Sequence, residues 1–198
     1  MQFAITNVCN AKCDFCGFAV DKFDPRQRRS VSLEEARDVI DICVKNHIGY
    51  LLFVGGEPLA HRHLGEMIRY AAERGLHPMV CTNGSLWTEH NMRALAANGL
   101  SSVIMSIDAH EVARHEKNRG LPEVCRKIKR ANEVFAALGL QTTASVTASR
   151  LIDDYAKLPE FLGGLGFASC TFSYPLTSLA SSYLSFSDSR WSVIKLTN

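Results

Sequence analysis

The sequence of 198 residues contains no apolar run approaching the ~18 residues needed to cross a bilayer, so no membrane span is expected. It has almost no net charge. The 22 Lys and Arg against 20 Asp and Glu leave +2, which gives no electrostatic case for nucleic acid or a membrane surface. The opening MQFAITNVCN lacks a basic region followed by a long apolar core, so a secretory leader is not expected. Low-complexity tracts, charge runs and linkers are also missing. Hydrophobic residues at 46% and charged residues at 21% match ordinary globular chains and exclude a disordered or fibrous one. One domain over residues 1–198, long enough to bury a substantial core, is the expectation.

Seven cysteines are present, an odd number that rules out complete internal pairing. Without a leader, a reducing cytoplasm is expected rather than a disulfide framework. Cys9, Cys13 and Cys16 form a C-x3-C-x2-C run, and Cys43, Cys81, Cys125 and Cys170 are scattered. The scattered four read as reduced core or near-core residues.

Short apolar strands alternate with amphipathic helices. Strands are predicted at residues 3–6, 50–54, 77–81, 102–107, 141–147 and 168–173. Most are continuous in apolar character, the pattern of strands buried on both faces. The first helix opens on the capping-box pattern Ser32-Leu33-Glu34-Glu35. Others are predicted near residues 61–74, 88–98, 122–138 and 154–162, with Pro122 in a first turn and a sixth helix starting near Asp188. Six βα units imply a parallel sheet with helices outside. Two connections, 17–31 and 174–187, are long for this kind of fold. Chemistry in barrel-like α/β folds gathers on the loops after strand C-termini.

Three thiolates on one short loop suit a single metal centre. Structural zinc normally takes four ligands, and no second pair of cysteines is present. A [4Fe–4S] cluster held by three leaves one iron open to an outside ligand. A zinc knuckle with a distant fourth ligand, or plain core cysteines, stays open on spacing alone.

The cysteine run, with Phe15 before its last member, resembles the cluster loop of the radical S-adenosylmethionine (radical SAM) superfamily. Gly55-Gly56-Glu57-Pro58, Thr82-Asn83-Gly84 and Ser106-Ile107-Asp108 resemble that family's motifs after the next three strands. A His/Arg-rich stretch to Arg119-Gly120 follows the last of these.

The resemblance implies a partial (β/α)6 TIM-like barrel with parallel strands. It implies a [4Fe–4S] cluster on Cys9, Cys13 and Cys16, whose free iron is chelated by S-adenosyl-L-methionine (SAM). It also implies reductive cleavage of SAM to a 5′-deoxyadenosyl radical that abstracts hydrogen from a small-molecule or peptide substrate. A reduced donor such as flavodoxin or ferredoxin would supply the electron. Glu57 would accept a hydrogen bond from the SAM amino group, with Gly55 and Gly56 allowing close approach. Thr82 and Asn83 would reach its carboxylate or ribose, and Ser106 and Asp108, two apart on one strand face, its ribose hydroxyls. Arg150 would pair with the carboxylate, while Phe15 and Tyr174 would meet the adenine.

His61-Arg62-His63 reads as a polar helix start rather than a metal site. His110 and His115 either meet substrate or face solvent. Arg26 to Arg29 either greets an acidic substrate or stays solvated, and Arg126 to Arg130 reads as a solvated helix face. The peptide-modifying members of the family usually carry a cysteine-rich extension, so the chain is expected to be a minimal core or a fragment. The alternative is a non-catalytic iron–sulfur or zinc-binding domain.

Overall fold

A computed structural model describes residues 1–21 and 23–173. Six strands form one parallel sheet in chain order: β1 (Gln2–Thr6), β2 (Tyr50–Gly55), β3 (His77–Thr82), β4 (Ser102–Ile107), β5 (Gln141–Thr147) and β6 (Ser169–Ser173). Sequential order with right-handed crossovers puts every connecting helix on the same side of the sheet. The sheet is open: among the described strands β1 pairs only with β2, and β6 only with β5. This is a partial (β/α)6 barrel.

Six helices cover the outer side: α1 (Leu33–Lys45), α2 (Leu64–Glu73), α3 (Glu89–Ala97), α4 (Val112–Arg119), α5 (Val124–Ala137) and α6 (Leu158–Gly164). Ser32 caps α1 as its sequence predicts. Its hydroxyl accepts from Glu35 N at 3.2 Å, and Glu35 returns a carboxylate to Ser32 N at 2.7 Å. The Gly after most helices stands at positive φ, the conformation glycine adopts at least cost.

Two expectations need correction. Pro122 lies before α5, whose N-cap is Glu123 in a left-handed conformation, not in its first turn. The strands are not buried on both faces. Leu51, Phe53, Val80, Val103, Met105, Ala144 and Val146 are fully buried beneath the helices. Their alternates, including Val54, Cys81, Ser106 and Thr147, are half-buried on the inner face. Helices cover only one side of the sheet, so the inner side stays open as a cleft.

The 17–31 connection turns back along the outer edge of β1. Val31 N donates to Ile5 O at 2.8 Å and Asn7 N to Arg29 O at 3.1 Å, which satisfies backbone groups that an edge strand leaves bare. Arg26 is spent on Asp24 at 2.8 Å, and Arg29 on the carbonyls of residues 26 and 28. The connection 174–187 and the predicted sixth helix lie outside the described residues. Among the described residues no helix is long and apolar enough to cross a membrane.

Ser32→Ala removes the α1 cap and is expected to cost about 1 kcal/mol. A lower urea midpoint at unchanged slope is the measurement that checks it.

Candidate active site

The C-terminal ends of the strands open into a cleft of about 550 Å³. Cys9, Cys13 and Cys16 all line it, as do Phe15, Gly55 and Gly56 from the motifs. Thr82, Asn83 and Ser106 line it from the next two strand ends. The cysteine loop is held from both sides. Asn10 bridges to the β3 loop, donating to Ser85 Oγ at 2.9 Å and accepting from Asn83 Nδ2 at 2.9 Å. On the other flank Lys12 N donates to Arg119 O at 2.7 Å, and Asp14 N to Asn118 Oδ1 at 3.4 Å.

All three loop cysteines are free thiols. Burial pushes the Cys13 thiol up to about 12, against the attraction of Arg119, and raises Cys9 as well. Bare thiolates are therefore disfavoured, and a bound metal is the usual agent that reverses this. Among the described residues no three His, Cys, Asp or Glu side chains already stand as a metal-holding group. The donor set still fits an iron–sulfur centre: three soft sulfurs on one loop, facing one cleft, with Cys81 of β3 in the same lining but on a separate strand.

The two glycines of the GGEP segment answer a backbone constraint. A Cβ on Gly55 would stand 2.1 Å from Thr6 O, and one on Gly56 would stand 2.2 Å from Val8 O. Their close approach is to the strand that feeds the cysteine loop. Gly56 N donates to Thr6 O at 2.7 Å and Glu57 N to Val8 O at 2.8 Å, which completes the contact.

Glu57 is fully buried and does not line the cleft. Its carboxylate accepts from Thr82 Oγ1 at 2.6 Å, Asn83 N at 2.8 Å and Leu59 N at 3.0 Å. Burial raises its pKa, and these three bonds oppose the rise. The side chain expected to meet a ligand amino group is here turned to these three donors rather than to the cleft. Glu57 instead joins the β2 loop to the β3 loop.

Asp108 is also absent from the cleft. The strand ends at Ile107, so the alternation that puts Ser106 inside no longer governs residue 108. Asp108 is fully buried, bonded to Arg119 Nη2 at 2.6 Å and Asn118 Nδ2 at 2.9 Å. Burial disfavours its charge, but Arg119 and then His115 hold the carboxyl below the ordinary range.

His115 neither meets the cleft nor faces solvent. It is fully buried, and its Nδ1 accepts from Asp108 N at 3.2 Å. Burial lowers its pKa to about 4, with Asp108 opposing, so the ring is neutral near pH 7.

Arg150 lies in a separate polar cleft beside Lys12, Lys117 and Arg114. Tyr174 lies outside the described residues. His110 is buried after β4, with Asp153 3.3 Å from its Nε2. His61 Nε2 is 2.9 Å from Val31 O, a structural tie.

Of the scattered cysteines, Cys43 and Cys125 are core, Cys170 is exposed, and Cys81 lines the cleft. Sequence reasoning missed several cleft residues: Arg119, Thr147, Phe18 and Ser173. The alternation of Thr143, Ser145 and Thr147 against Ala144 and Val146 was the signal for the inner face of β5.

The Radical SAM superfamily profile matches residues 3–147, so the chain belongs to the radical SAM superfamily. It is similar to the AdoMet-dependent heme synthase of Nitratidesulfovibrio vulgaris, at 27% identity over 171 residues covering 84% of this chain and 46% of that protein. It is also similar to the PqqA peptide cyclase of Granulibacter bethesdensis, at 26% over 160 residues covering 80% of this chain and 41% of that protein. The chain thus spans less than half the length of these curated relatives. Among solved structures, Streptococcus suis SuiB bound to S-adenosylmethionine has a TM-score of 0.71 at 17% identity, covering 92% of this chain and 42% of that one. Methylornithine synthase (PylB) has a TM-score of 0.71 at 13% identity, covering 88% and 53%. These two likenesses show the fold. The superfamily implies a [4Fe–4S] cluster and SAM.

The shift of His115 predicts a pH dependence. The folded pKa of about 4 lies below the ordinary 6.5, so the unfolded chain takes up a proton that the folded one refuses. This contribution is complete above 6.5 and is lost as pH falls from about 6.5 to about 4. The stability difference between wild type and His115→Gln should shrink from pH 7 to pH 5 in urea titrations.

Gly56→Ala forces a backbone shift at the cysteine loop. It should lower the thermal midpoint more than Gly163→Ala, where a Cβ meets nothing within 4 Å. Differential scanning calorimetry of both variants checks the order.

Proposed function

We propose that the chain is the core domain of a radical SAM enzyme, with Cys9, Cys13 and Cys16 holding a [4Fe–4S] cluster and the neighbouring cleft binding SAM. The observation that carries this reading is that the three cysteines share one cleft with the residues of three other strand-end motifs. When bound, the cluster and SAM supply one-electron reductive cleavage and hydrogen-atom abstraction from a substrate.

The chain's own residues hold and shape the site. Gly55 and Gly56 present backbone to the cleft, and Thr82, Asn83 and Ser106 offer hydroxyl and amide groups for the ribose and carboxylate. Phe15 and Phe18 give an aromatic wall for the adenine and keep water off it. Glu57 and Asp108 act from behind, each holding groups that line the cleft. A small-molecule or peptide substrate fits this reading, since the relatives' names span heme synthesis and peptide cyclisation. A one-electron donor protein such as flavodoxin or ferredoxin would reduce the cluster.

Anaerobic reconstitution with iron and sulfide tests the reading. The reduced protein should show a cluster EPR signal that changes on adding SAM, and with dithionite it should form 5′-deoxyadenosine. Zinc saturation with no such cluster would make this a metal-binding domain without catalysis and sink the proposal. Cys13→Ala should abolish cluster uptake, whereas Cys125→Ala, in the α5 core, should retain it. Iron and sulfide analysis per chain reads both.

A further inference from the structure

Arg119 is the cation of the described cleft, only 5% exposed, and it lines the wall that also carries Cys9, Cys13 and Cys16. Asp108, its partner at 2.6 Å, is fully buried behind it and does not reach the cleft. Asn118 Nδ2 takes the other oxygen of Asp108 at 2.9 Å, so the carboxylate is fixed in orientation. The pair is a buried dipole with its positive end toward the cysteines. Among the described residues, Arg119 Nε is buried without a hydrogen-bond partner. The backbone of the same residue also touches the loop, since its carbonyl accepts from Lys12 N at 2.7 Å.

We infer that Arg119, positioned by Asp108, raises the reduction potential of the centre held by Cys9, Cys13 and Cys16. The inference rests on the proposed function. Reduction adds one negative charge to the centre. A nearby cation in a poorly solvated wall stabilises that charge more than it would in water. Asp108 lies behind Arg119 and does not line the cleft, so its opposing charge acts from a greater depth.

A purely structural role for the pair makes a different prediction. Removing either partner would then disorder the loop in the same way. The electrostatic role predicts shifts of opposite sign.

The test is an EPR-monitored redox titration with dithionite of the reconstituted chain without SAM, on wild type, Arg119→Gln, Arg119→Lys, Asp108→Asn and the double variant D108N/R119Q. Arg119→Gln should lower the reduced-to-oxidised ratio at fixed potential about tenfold, which is about 59 mV for one electron, and the double variant should lower it by less. Asp108→Asn should raise it, and Arg119→Lys should stay within twofold of wild type. The double variant keeps the comparison available if Arg119→Gln misfolds with an unpaired carboxylate.

Shifts of one sign in Arg119→Gln and Asp108→Asn, or ratios all within twofold, would overturn the inference. So would failure of both Arg119→Gln and the double variant to take up iron while wild type loads. If wild type itself assembles no cluster, the proposed function falls, and this inference falls with it.

Discussion

The carboxylate of Glu57 is withdrawn from water completely and is met there by Thr82 Oγ1, Asn83 N and Leu59 N. An acid at such depth costs several kcal/mol unless its oxygens are satisfied. All three donors must therefore stay in place, and they come from the C-terminal end of β3 and the loops after β2 and β3. Asn83, fixed through its backbone N–H, extends its side chain to Asn10 and so reaches the cysteine loop. The walls of the cleft are in this way tied to one buried charge.

The architecture was largely legible in the sequence because five of the six helices carry an apolar stripe or a clear start signal. The capping box at Ser32 and Glu35 is the plainest case. The helix α4 was not legible. Its buried residues are His115, Asn118 and Arg119, so its inward face is polar and no 3.6-residue apolar period exists to detect. The same polar face builds the Asp108 network. The missing helix and the misplaced aspartate thus have one physical origin.

The cysteines and glycines of the site could be found from spacing because they act through the backbone or through identical chemistry. Glu57 and Asp108 were found as motif members, but their surroundings were not. Whether a carboxylate faces a cleft or a buried partner is decided by residues far along the chain, such as Thr82 for Glu57 and Arg119 for Asp108. Local spacing carries no information about such partners. Arg150 shows the converse: its position after β5 suggested the cleft, yet the chain there leads it to a different face.

The bond from Lys12 N to Arg119 O joins two main chains. No side-chain replacement at residue 12 or 119 deletes either atom, proline at residue 12 excepted. Docking of the cysteine loop and the charge presented at its wall are therefore separable, although both pass through residue 119. A lineage could retune the electrostatics at this position by exchanging side chains while the loop keeps its berth. The fold gives the site an adjustable setting whose mechanical mounting does not move with it.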